Sequence, residues 1–244
     1  MSMAEKLTTI AENMQKVYDA GKAAGGGEGD GFYDTFWDAY QSNGNKVDYE
    51  RAFYSSAWKD ANFQPKYDIK PTMALETFAY SYIKTSEYLK KLDFSQCVYC
   101  GSTFASSQIE ELGVIDISSV VSGWGFTGMF SGAAKLRKIE RFVFPKDSKT
   151  AYNYPFNACN SLTDITIGGT IYKTLSFQWC PLNKASIVSI IGALSDTASS
   201  QTLTLKQTAV NTAFETAEGA ADGSTTDEWL SLIATKSNWT ISLA

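Results

Sequence analysis

Cys97-Val-Tyr-Cys100 has the most recognisable chemical spacing in this 244-residue chain. A zinc centre needs four ligands, and the chain has no histidine. Only Cys159 and Cys180 remain as thiolates, three residues past Phe156 and one past Trp179, where side chains are expected to face inward. A redox dithiol would open a helix after a βαβ strand, and no such pattern surrounds Cys97. The four thiols therefore read as small buried hydrophobes, and neither a metal nor a cofactor is expected. The missing histidine also removes the usual general base and pH switch. Carboxylate pairs can cleave glycosides without it. Glu110-Glu111 and Asp227-Glu228 are the nearest sets, but they fit a solvated turn and a helix first turn, where the dipole favours acids. No catalytic residue is assigned. Trp124, Tyr99, Tyr152 and Tyr154 each lie just ahead of an aromatic anchor, where solenoids commonly present aromatic platforms to glycans and peptides. Part of this set fills the core; Trp124, between Gly123 and Gly125, is the leading candidate for exposure.

The elements that position these residues repeat. Phe78, Phe104, Phe130 and Phe156 are 26 residues apart each time, and Trp179 follows 23 later. Each opens the same pattern of small residues, an aliphatic, then an alternating apolar run, as in Phe104-Ala-Ser-Ser-Gln-Ile109 leading to Ile115 and Ile117. Self-similarity at this period means a solenoid, in which stacked neighbours complete a core that no single turn can close. Period-2 alternation predicts one short strand per turn in a continuous parallel sheet. Its inward residues are Leu92 and Phe94, Ile115 and Ile117, Phe142 and Phe144, and Ile165 and Ile167. The solenoid spans 73–182, with edge loops such as Lys146 to Thr150.

Residues 1–24 read as a helix with Leu7, Ile10, Met14 and Val17 on one narrow stripe. That stripe suits either a short coiled coil for self-association or docking on its own domain. Residues 25–31 are a glycine-rich hinge, without the strand and Gly-Lys-Ser/Thr of a phosphate loop. Residues 32–72 form an aromatic cap for the first repeat, with a second short helix around Tyr49, Phe53 and Ala57. Residues 183–244 form an α/β cap. It has a helix through Ile187, Ile190, Ile191 and Leu194, a strand at Thr202 to Leu205, and a helix from about Ala209 to Glu218. A break at Ala220 to Gly223 leads to a capped helix with Trp229, Leu232 and Ile233 inward, then a strand from Trp239 to Leu243. These last strands are expected to extend the same sheet by a crossover.

Hydrophobic content of 44% with 19% charge marks a globular chain, and a net charge of −5 argues against a nucleic-acid surface. No apolar run of about 18 residues suggests membrane insertion, and no signal-peptide pattern opens the chain. Synthesis in the cytoplasm is the expectation.

The repeat Phe-x-x-Cys-x-x-Leu-x-x-Ile-x-Ile, from Phe156 to Ile167, resembles the BspA-like branch of leucine-rich repeats. The stretches Leu7 to Gly21, Phe36 to Tyr40, Ala185 to Leu194 and Asn238 to Leu243 extend the likeness to leucine-rich-repeat proteins encoded among tail genes of phages and prophages of Gram-positive gut bacteria. Two copies depart from the motif, with Ser107 and Ala133 where it has cysteine. The resemblance implies an α/β solenoid with a period of about 26 residues, and a non-enzymatic module of the phage tail. Its partner would be a protein or a cell-surface glycan. Two other readings stand beside it: a carbohydrate-active hydrolase working through the paired carboxylates, and a cytoplasmic scaffold for protein interactions.

Overall fold

The computed structural model describes residues 49–55, 63, 69–120, 125–146, 150, 152–198, 200–215 and 226–244. The N-terminal stripe (Leu7, Ile10, Met14, Val17), the glycine hinge, most of the aromatic cap, Trp124, and the break at 220–223 lie outside these residues. The architecture is a β-solenoid of leucine-rich-repeat type, with parallel strands on one side and tight turns on the other. Strands β1 (Glu111–Asp116), β2 (Lys138–Val143) and β3 (Asp164–Gly168) pair in parallel in that order. Leu112 lies opposite Ile139, which lies opposite Ile165, so the inward aliphatics of successive turns are in register. Leu92 and Phe94 are buried as the alternation requires, but their turn carries a 3-10 helix, Glu87–Lys91, in place of a strand. Ser86 starts it by accepting the Tyr88 amide, and its backbone crosses so close to Gly113 that a Cβ there would meet the Lys90 carbonyl oxygen.

The phenylalanines form one continuous stack. Phe78 to Phe104, Phe104 to Phe130 and Phe130 to Phe156 have centroid separations of 5.5, 5.4 and 5.3 Å, with rings within 10° of parallel. Two rungs fall outside the 26-residue period. Phe53 stacks on Phe78 at 4.9 Å, so residues 49–55 are a solenoid turn and not the expected short helix. At the other end Phe177 stacks on Phe156 at 4.6 Å, while Trp179, the expected anchor, is 48% exposed. Parallel, offset rings add about 0.5–1.5 kcal/mol per pair beyond the area they bury. Five such contacts tie six turns together.

Opposite the sheet runs a second hydrogen-bond ladder. Ala74, Glu76, Phe78 and Tyr80 donate their amides to the carbonyls of Tyr99, Gly101, Thr103 and Ala105, and the turns on either side repeat this. From Phe53 to Phe156, a left-handed residue stands two positions before and two after each ring. These are Arg51 and Ser55, Glu76 and Tyr80, Ser102 and Ser106, Gly128 and Gly132, and Tyr154 and Ala158. Buried threonines close the remaining carbonyls: Thr77 Oγ1 donates to Tyr49 and Thr103 Oγ1 to Ala74.

The C-terminal strands do not extend the first sheet. β4 (Leu175–Phe177), β5 (Gln201–Leu205) and β6 (Trp239–Leu243) form a second parallel sheet of their own. The reason is helix α1 (Lys184–Gly192), capped by Asn183, which covers the open edge of β3. Its Ser186 and Ser189 hydroxyls accept the Ile165 and Ile167 amides, both at 2.8 Å. Those are the donors that a fourth strand would have needed. Helices α2 (Gln207–Phe214) and α3 (Asp227–Ala234, capped by Thr226) complete the unit, with Trp229 buried against Phe214 and Leu232 and Ile233 half-buried. Lys236, Asn238 and Trp239 all bond to carbonyls of residues 194–198 and fasten that loop.

Candidate functional site

The chemical candidates separate sharply once placed in the fold. All four cysteines are free and wholly buried. Cys97 donates to the Tyr99 carbonyl and lies beside Cys100, whose thiol is pushed well up by burial and by the hydrogen bond to Cys97. Such a thiol keeps its proton and is a poor ligand or nucleophile. Among the described residues, no group of three or more His, Cys, Asp or Glu side chains could hold a metal ion.

The carboxylate pairs are each engaged. Arg137 Nη2 reaches Glu110 at 3.1 Å and Glu111 at 3.3 Å, and Lys90 lies 3.8 Å from Glu111. With Lys138 and Asp164 at 3.7 Å, they form a ribbon of alternating charge along the start of the strands. Glu228 accepts from Lys184 at 2.6 Å, and Asp227 stands beside it in the first turn of α3. The two sets occupy different elements, the solenoid edge and the C-terminal unit.

The four aromatics meet different fates. The Tyr152 ring is core, 7% exposed and 5.2 Å from both Phe126 and Phe144, with its hydroxyl accepting the Tyr172 amide. Tyr99 is half-buried and bridges to Met73. Tyr154 projects from the turn face at 76% exposure. Trp124 falls outside the described residues.

Three tyrosines that the anchor spacing did not single out share that surface. Tyr80 and Tyr82 are more than half exposed, and Tyr54 meets Tyr80 edge-on at 5.5 Å. The Arg51 guanidinium lies 5.5 Å above the Tyr54 ring and pairs with Glu76, which cancels the local charge. Tyr80 and Tyr154 occupy left-handed positions, at φ 59° and 53°. That conformation is costly for a bulky side chain, and the Phe130 turn fills the same positions with Gly128 and Gly132. The fold has no need of tyrosine there. Aligning the repeats by position two before and two after the anchor would have found both residues.

Among the described residues, no helix is long and apolar enough to cross a membrane. The turn face is thus an open surface carrying exposed rings, chemically suited to stacking and hydrogen bonding and without an assembled acid–base or metal centre among the described residues. Comparison of the chain with protein-family models, with curated proteins and with solved structures finds no match to any of them.

Proposed function

We propose that this chain is a non-enzymatic binding module that meets its partner with the turn face of the solenoid, through Tyr80, Tyr154 and their neighbours Tyr54 and Tyr82. The observation that carries this reading is the placement of exposed tyrosines at left-handed positions that the Phe130 turn fills with glycine and other turns mostly with small or polar residues. Bulky residues held at a strained backbone and turned to solvent are better explained by recognition than by packing. Rigid rings with a polar tip suit both a glycan and a protein surface. The resemblance of the repeats and ends to phage tail proteins makes a Gram-positive cell surface the partner of first choice and the virion the place of action. Half-buried Tyr99, and Trp124 beyond the described residues, are secondary members of the same proposal. The hydrolase reading draws no support from pairs in which Glu110, Glu111 and Glu228 are already engaged by cations.

The test is binding of the purified full chain to Gram-positive cells and to their isolated wall polysaccharide. Tyr80→Gly and Tyr154→Gly should each weaken binding about tenfold while leaving stability equal or higher, by about 1 kcal/mol as strain is relieved. Binding that survives both changes would remove the turn face from consideration. The stripe of Leu7, Ile10, Met14 and Val17 would add avidity by bundling weak sites. Light scattering should then give a dimer or trimer for the full chain and a monomer for one starting at Gly31. Equal masses for both would remove that role.

A further inference from the structure

We propose, resting on the turn-face reading, that the partner is a neutral glycan chain. It runs past the tyrosines onto Trp179 and the hydroxyl-bearing outer face of the C-terminal sheet. Phe177, the last residue of β4, stacks on Phe156 at 4.6 Å. In its own sheet it stands opposite Leu205, which stands opposite Leu243. Strands β4 to β6 therefore take over the turn side of the solenoid, away from β1 to β3, and their alternate residues face outward on that surface.

The outward residues are hydroxyls in register. Ser176, Thr204 and Ser242 form one row across the three strands, and Thr202 and Thr240 form a second. Neighbours in a row are about 4.8 Å apart. Among the described residues, Thr202, Thr204, Thr240 and Ser242 commit their hydroxyls to no other group. On β2 of the first sheet the exposed residues are Glu140 and Arg141 instead. Trp179 joins the hydroxyl rows to the tyrosines. It takes the place two after Phe177 that Tyr80 takes after Phe78, with buried Cys180 and Ser81 next in line. Ser106, Gly132 and Ala158 fill that place in the turns between, so two exposed rings bound a low floor. A Cβ at Gly132 would meet Ser106 Oγ at 2.8 Å.

The chemistry of this surface selects a sugar. Pyranose rings present C–H faces that stack on aromatic rings, and hydroxyls that donate and accept as those of serine and threonine do. A protein partner would need an apolar centre with pockets for its anchors. Here there are hydroxyl rows and separate rings on an open surface. Lys206 borders the rows, but an anionic chain needs a track of cations. Arg51 is already paired with Glu76, and the net charge of −5 repels polyanions.

The experiment uses the full chain and Gram-positive walls stripped of protein by protease, then separated into neutral polysaccharide and phosphate-bearing teichoic acid. Calorimetry should show binding to the neutral fraction and none to the teichoic acid. Thr202→Val combined with Thr204→Val removes two hydroxyls and keeps the branched shape that strands favour. It should weaken binding about tenfold. Trp179→Ala, at an exposed ring, should weaken it as well, and both variants should keep the wild-type urea midpoint. Wild-type affinity in both, with Tyr80→Gly still weakening binding, would overturn the path across the C-terminal sheet and leave the turn face as the site. Binding that follows the wall protein or the teichoic acid would overturn the glycan class. A chain that binds neither intact cells nor any wall fraction would remove the turn-face reading too.

Discussion

From Phe78 onward, the position three residues past each ring is Ser81, Ser107, Ala133, Cys159 and Cys180 in successive turns, and all five are buried. The larger, softer sulfur reaches the carbonyl of the turn before. The shorter serine hydroxyls do not, and Ser81 Oγ and Ser107 Oγ are left buried without a partner. An unpaired buried hydroxyl costs about 1–3 kcal/mol of lost hydration. Ser107→Ala should therefore stabilise the chain by about 1 kcal/mol, seen as a higher urea midpoint at unchanged slope. A drop in the midpoint would mean that the hydroxyl is satisfied in solution. The inward role of this position was readable from the repeat motif, in which Ser107 and Ala133 stood out as departures from cysteine. Its energetic meaning was not, because a hydrogen bond between turns depends on the length of one side-chain bond.

At the level of elements, strands β1 to β3 and their inward pairs followed from alternation alone, since a period of two fixes the buried face. The Phe78 turn escaped that logic. Its apolar residues Leu92 and Phe94 alternate correctly and are buried, yet the segment before them winds into a 3-10 helix over Gly113. A Cβ at Gly113 would stand 2.4 Å from the Lys90 carbonyl oxygen and 2.9 Å from its Cα. Backbone cannot yield as a side-chain tip can. Gly113→Ala should cost about 1–3 kcal/mol in chemical denaturation, by forcing the helix off the strand. The end rungs escaped for a different reason. Phe53 and Phe177 stack in place but stand 25 and 21 residues from their neighbours. Strict periodicity therefore passed over both, and Trp179 stood out in place of Phe177. What a stack requires is a ring at the right height, and loops of unequal length deliver it equally well.

Across the whole molecule, the sequence reading joined what the structure divides. The strands at Thr202 to Leu205 and Trp239 to Leu243 are where alternation put them, but they belong to a second sheet. Two serine hydroxyls on α1 decide this, and a hydroxyl inside a helix pattern gives no sign that it will cap a neighbouring strand. Ser186 both accepts the Ile165 amide and donates to the Thr163 carbonyl. Ser186→Ala strands the buried Ile165 amide, while the exposed Thr163 carbonyl keeps the Asn183 amide, and should cost about 1–3 kcal/mol. In calorimetry, the single cooperative transition should broaden or divide in two as the C-terminal unit is released. A sharp transition merely shifted downward would mean that the phenylalanine stack alone couples the halves. The turn face, with Tyr80 and Tyr154, was half legible: Tyr154 was among the aromatics picked out, and Tyr80 was not.

The amide ladder of the turns has a direction. Within the turns the inter-repeat donors face forward, from Tyr49 to Met73, from Ala74 to Tyr99 and from Cys100 to Gly125, so their acceptors lie about one repeat further along the chain, whereas flanking amides such as Val98 and Gln108 donate back to Thr72 and Ser81. During synthesis the N-terminal part emerges first. Each turn must then wait for the next to leave the ribosome before its amides are satisfied. The solenoid therefore closes one repeat behind its own translation, as a moving front that always ends in open donors. Stalling the ribosome in successive repeats and probing amide protection should show that front advance in steps.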